Sequence, residues 1–106
     1  MNALPVCRDG LLEQDRLAYA AEMLKLMGHP TRLQIVALLE RTPELSAGAF
    51  HEALEEPQPT ISQHLSRMRA AGLLRTRKSR GQVFYSLRQP QLLQLLRCVR
   101  GCDLRV

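Results

Sequence analysis

The stretch QPTISQHLSRMRAAGLL, residues 58–74, sets Thr60, Ser62, Gln63, His64, Ser66, Arg67 and Arg69 among the apolar residues Ile61, Leu65 and Met68. Near the other end of the chain, RCVRGCDLRV places Cys98 and Cys102 four residues apart. The first group is equipped for hydrogen bonding: an amide offers donor and acceptor side by side, hydroxyls do either, and guanidinium groups fork onto planar acceptors. The second group is equipped for sulfur chemistry. A thiolate is both a nucleophile and a soft-metal ligand, and Arg97, Arg100 and Arg105 around the pair favour that ionised form.

Local signals predict the elements that carry these groups. Leu17, Ala20, Ala21, Leu24 and Met27 recur near a 3.6-residue period, giving a first helix over 11–27 that ends at Gly28. Pro30 suits the first turn of a second helix, which runs through Leu33, Val36, Leu38 and Leu39 until Pro43. Ser46 is the expected N-cap of a short third helix, 47–55, with Ala49, Phe50, Ala53 and Leu54 as its apolar members. After the break EEPQP, a fourth helix has Pro59 in its first turn, the stripe 61, 65 and 68 facing inward, and Gly72 as its cap.

The period then changes to two. LLRTRKSRGQVFYSL puts Leu74, Thr76 and Lys78 on one side of a strand, and Val83, Tyr85 and Leu87 alternate with Phe84 and Ser86. Ser79-Arg80-Gly81-Gln82 supplies the glycine that a tight hairpin needs. A last helix starts at Pro90 and carries Leu92, Leu93, Leu95, Leu96 and Val99. The fold class expected is mainly α with a β-hairpin, in the order α-α-α-α-β-β-α.

Composition agrees with that order and narrows the function. A chain of 106 residues has room for one compact domain, taken as 1–106 with 1–10 as a flexible arm. Its hydrophobic fraction of 45%, with two Phe, two Tyr and no Trp, implies an aliphatic core of packed helices. The net charge of +5 is unevenly spread: residues 40–56 hold five glutamates, whereas residues 67–80 hold six bases and no acid. No apolar run approaches the ~20 residues that span a bilayer. The start MNALPVCRDG lacks a basic segment followed by an apolar one, so a cytoplasmic protein without membrane contact is expected. Three cysteines, Cys7, Cys98 and Cys102, are too few and too odd in number for a secreted disulfide framework.

Two helices joined by a short break, the second with small polar and basic residues outward, make a helix-turn-helix whose second helix suits a major groove of double-stranded DNA. Gln63 can bond an adenine edge twice, Thr60, Ser62 and Ser66 fit either base type, and Arg67 and Arg69 suit guanine or phosphate. His64 is expected on the polar side of this helix, within reach of phosphate. Arg77, Lys78 and Arg80, with Arg75 beside them, would place positive charge on a wing along the duplex. His29 most simply caps the second helix, and His51 lies on the third near acids. A protein-interaction module and a thiol oxidoreductase are rival readings; the second is poor, because C-x-x-x-C departs from C-x-x-C and its flanks read as a dimerising helix, and there is no phosphate loop or carboxylate pair in a plausible cleft.

LKLMGHPTRLQIVALL and TISQHLSRMRAAGLLRTRKSRGQVFYSL together resemble the ArsR/SmtB family of winged-helix repressors, which share an H-P-x-R-L opening of the second helix and an S-x-H-L-x-x-(L/M)-x-x-A-G-L recognition helix. The resemblance covers roughly residues 17–96. It implies a homodimer joined through the first and last helices, bound to an operator inverted repeat and released by an inducer. Its pattern is most similar to the branch that senses sulfur species, persulfides included, through cysteine. The C-x-C of arsenic-sensing members is absent from LSAGAFHEAL, the last helix carries no His of the zinc-sensing kind, and Ala37 stands near the second-helix cysteine of persulfide sensors.

Cys98 and Cys102 share a face of a continuing helix, about 6 Å apart, which suits a bridge lengthened by sulfur or an ion held by two thiolates. The sensing thiols expected are therefore Cys98 and Cys102, acted on by reactive sulfur species or an oxidant. Cys7 is a further candidate. The alternative is a thiophilic inducer ion, As(III), Cd or Pb, held by Cys7, Cys98 and Cys102.

Overall fold

The computed structural model describes residues 12–101. Five helices and three short strands follow in the order α1 (Gln14–Met27), α2 (Pro30–Arg41), β1 (Leu45–Ser46), α3 (Ala47–Leu54), α4 (Gln58–Ala70), β2 (Leu74–Ser79), β3 (Gln82–Leu87) and α5 (Leu92–Gly101). The helices and the hairpin match the expected order, and β1 is an addition. Two residues long, β1 is too short to show an alternation in sequence; it pairs antiparallel with β3, giving the sheet order β1-β3-β2.

Local chemistry explains the boundaries. The His29 ring accepts from the Thr31 N–H at 3.2 Å, so His29 caps α2. Ser46 does the same for α3, its hydroxyl accepting from the Ala49 N–H at 3.2 Å. The end of α4 is a Schellman turn: Leu73 N–H bonds Met68 O, Gly72 N–H bonds Arg69 O, and Gly72 takes φ +82°. At the wing tip Arg80 and Gly81 both have positive φ, 52° and 79°, as a two-residue hairpin of right-handed twist requires. Gly28 differs from expectation. Its φ is −78°, and the glycine is instead favoured by space, since a Cβ there would lie 3.3 Å from Leu24 O. The last helix also starts later than expected, at Leu92, after a turn over 90–91.

The core lies between α2, α3, α4 and α5 and the inner side of the sheet. Ile35, Val36, Phe50, Ile61, Leu65 and Met68 are fully buried, joined by Leu73, Leu74, Leu92 and Leu96. The stripe 61, 65 and 68 thus faces inward as its spacing required. Helix α1 buries Met27 and rests Met23 and Leu26 against this core, but Leu17, Tyr19 and Leu24 remain 40–53% exposed. No described helix is long and apolar enough to cross a membrane.

Candidate nucleic-acid interface

Because one face of α4 is anchored in the core, the opposite face is fixed in orientation. Ser62, Gln63, Ser66 and Arg67 are exposed there and line one shallow cleft of about 300 Å³. Thr60 is half-buried at the flank. Arg69 is exposed but turns away from that cleft and lines another with Arg75 and Arg88. No side chain caps the start of α4.

His64 corrects the sequence expectation. It is buried, 8% exposed, and its Nδ1 accepts from Arg32 Nε at 2.9 Å, so it points toward α2 rather than toward solvent. The physical reason is position: residue 64 borders the buried stripe three residues after Ile61, and Arg32 supplies a polar partner that makes its burial tolerable. Arg32 Nη1 also donates to Leu26 O at 3.0 Å, so one guanidinium links the end of α1 with α4. The rings of His29 and His64 meet edge to face, with centroids 4.4 Å apart. Burial, His29 and Arg32 hold His64 below the usual imidazole range, in that order of weight. His51 hydrogen-bonds Glu56 O, so the three histidines serve the fold locally.

On the wing, Lys78 and Arg80 are exposed. Arg77 is exposed yet occupied: its Nε and Nη2 each donate to a Glu44 carboxylate oxygen at 2.8 Å, and its guanidinium lies 5.3 Å from the Phe84 ring centroid. Phe84 is the cross-strand partner of Arg77, so the side chain spans its own sheet to reach the residue before β1. The hydrogen bond from Arg77 holds the Glu44 carboxyl below its ordinary range. The role of Glu44 is illegible in the sequence, since nothing local ties residue 44 to residue 77.

Cys98 is a free, exposed thiol on α5. Cys7 and Cys102 lie outside the described residues. Among the described residues no group of three or more His, Cys, Asp or Glu could hold a metal ion. Beside Cys98, Arg100 donates to Glu40 at 2.8 Å and pins α5 to α2.

Residues 27–77 match a family described as a helix-turn-helix domain. The transcriptional repressor PagR of Bacillus anthracis is 38% identical over 84 residues, spanning 79% of this chain and 84% of that protein. The chain belongs to the ArsR/SmtB family of winged-helix transcriptional regulators. Solved structures of ArsR/SmtB members share this fold. The transcriptional repressor BigR from Xylella fastidiosa superposes with a TM-score of 0.75 at 33% identity, over 85% of this chain and 93% of that one. Reduced HlyU from Vibrio cholerae gives 0.74 at 35% identity, over 85% and 96%. As an ArsR/SmtB member the chain is a DNA-binding transcriptional regulator and not an enzyme, and α3 with α4 forms its helix-turn-helix.

Proposed function

We propose that this chain acts in the cytoplasm as a homodimeric repressor that reads an operator inverted repeat and lets go when its thiols are modified. The observation that carries the DNA reading is the split of α4: Ile61, Leu65 and Met68 are fully buried, while Ser62, Gln63, Ser66 and Arg67 share one exposed cleft. Gln63 and Arg67 read base edges, with Thr60, Ser62 and Ser66 beside them, and Lys78 and Arg80 hold phosphate along the wing. Arg77 joins them on release from Glu44, and Arg69 reaches the backbone at the flank of α4.

Dimerisation through α1 and α5 is supported by exposed Leu17, Tyr19 and Leu24 on α1 and by Val99, 46% exposed, on α5. A two-fold pair would set two copies of α4 about one DNA turn apart, roughly 34 Å. The inducer acts on Cys98 and Cys102. Supporting this are the exposure of Cys98 and the reduced form in which one relative was solved.

The deciding experiment enriches operators from random duplexes, then follows binding and intact mass together as polysulfide is added. An inverted repeat should emerge, and the complex should dissociate as the protein gains sulfur or loses two hydrogens. A Cys98→Ser, Cys102→Ser variant that still dissociates under polysulfide would end the thiol mechanism, while a failure of any duplex to bind would end the DNA reading.

A further inference from the structure

A second set of cations converges away from the outward face of α4. Arg69 near the end of α4, Arg75 near the start of β2 and Arg88 just past β3 line one cleft of about 420 Å³ with Leu74 and Thr76. All three arginines are exposed, and buried Leu74 gives the cleft a firm side. Its backbone is braced as well: Arg88 N–H donates to Leu73 O at 2.9 Å, and the Arg88 guanidinium lies beside Gly72, where a Cβ would be 3.9 Å from Nη1.

Three like charges in one concavity repel one another, whereas three other arginines among the described residues are neutralised by carboxylates. Arg77 has Glu44, Arg100 has Glu40 and Arg16 has Glu13. Among the described residues, Arg69, Arg75 and Arg88 have no such carboxylate, and residues 57–102 contain no acid to provide one. The carbonyl end of α4 offers roughly half an elementary charge against three guanidinium groups. Most of the positive charge is therefore left for a ligand. A cleft of one sign focuses the field of its walls, and guanidinium forks match phosphate oxygens two at a time.

We infer that the cleft at the root of the wing, formed by Arg69, Arg75 and Arg88, is a phosphate-holding site for the DNA backbone outside the bases that α4 reads. This rests on the DNA-binding reading above and extends its footprint. A duplex is favoured over a free anion by continuity: Arg69 shares α4 with Ser66 and Arg67, and Arg75 shares β2 with Lys78, so both elements already lie against the duplex in that reading. Contacts here carry no base information and act on every sequence alike.

The test is fluorescence anisotropy on a random-sequence duplex of about 40 base pairs across a salt series, comparing the full chain with an Arg75→Ala, Arg88→Ala double variant. Each lost phosphate contact should lower the slope of log affinity against log salt by about 0.9, so the double variant should lose about 1.8 from its slope and bind at least tenfold more weakly. An Arg75→Lys, Arg88→Lys variant should keep most of the slope. Slope and affinity equal to wild type would overturn the inference while leaving wild-type DNA binding intact. So would a double variant that only melts earlier, which would make the arginines mere partners of the α4 carbonyls. Pyrophosphate at constant ionic strength separates the remaining source: if it raises the melting temperature of wild type but not of the double variant, and the DNA slope is unchanged, the cleft takes a free anion and the inference is wrong.

Discussion

Arg32 of α2 donates its Nε–H to Nδ1 of the buried His64 on α4 across 2.9 Å, and a proton on that nitrogen would turn the bond into a contact of two cations. Arginine stays charged, so the imidazole must be neutral, with its proton on Nε2. Burial comes first among the causes that lower its pKa, followed by His29 and Arg32; Arg67 adds to them and Glu56 opposes them. In the unfolded chain the ring titrates near 6.5. Between that value and the lower folded one, the unfolded state binds more protons, so stability is complete above the window and falls as pH drops through it. Thermal melting from pH 7.5 to 5 should show this decline. His64→Asn, which offers an oxygen in place of Nδ1 and does not titrate, should flatten it; parallel curves for the two proteins would refute the assignment.

Glu44 occupies the Arg77 guanidinium with two hydrogen bonds of 2.8 Å, and a DNA phosphate would have to displace it. Glu44→Gln removes the competing charge without removing the side chain. The variant should bind every duplex more tightly, with its salt slope steeper by about 0.9, one phosphate contact. Weaker binding by Glu44→Gln would mean instead that Glu44 holds Arg77 in the position DNA needs.

Base reading and backbone holding separate cleanly in energy. Gln63→Ala should reduce preference for operator over random duplex by on the order of 1–3 kcal/mol, and Arg67→Ala should do likewise. Arg80 sits at φ 52°, a conformation asparagine tolerates, so Arg80→Asn removes charge without straining the wing tip. It should weaken operator and random duplex by the same factor. Competition titrations with both duplexes decide, and equal losses for Gln63→Ala would deny it a base contact.

Leu24 on α1 is 53% exposed and makes little contribution to the core of one chain. A Leu24→Glu substitution should therefore leave melting of a single chain nearly unchanged, within about 0.5 kcal/mol. In sedimentation the variant should run as a monomer and should lose cooperative binding to an inverted repeat. A variant that stays dimeric would place the interface elsewhere.

Much of the fold was readable along the chain because its cues act over a few residues. Ser46 and His29 cap the helices that follow them, Gly72 closes α4, and Arg80-Gly81 turns the wing. The stripe Ile61, Leu65 and Met68 named the buried face of α4 by spacing alone. The outward face followed as its complement, which is why Ser62, Gln63, Ser66 and Arg67 were found together. Spacing alone does not settle the side of His64, because it stands at the edge of that stripe, where either side satisfies the period. β1 leaves no signal in the sequence because two residues cannot display an alternation.

What the sequence alone determined is the order of the five helices and the hairpin and the sidedness of α4, properties set by short-range spacing, capping and turn chemistry. The tertiary structure decided which polar groups have partners. It took Arg32 against His64, Glu44 against Arg77 and Glu40 against Arg100 to show which charges are committed, and these pairs lie 32, 33 and about 60 residues apart. Helical period carries no information over such separations, because a side chain's partner is chosen by how the helices pack and not by its own segment.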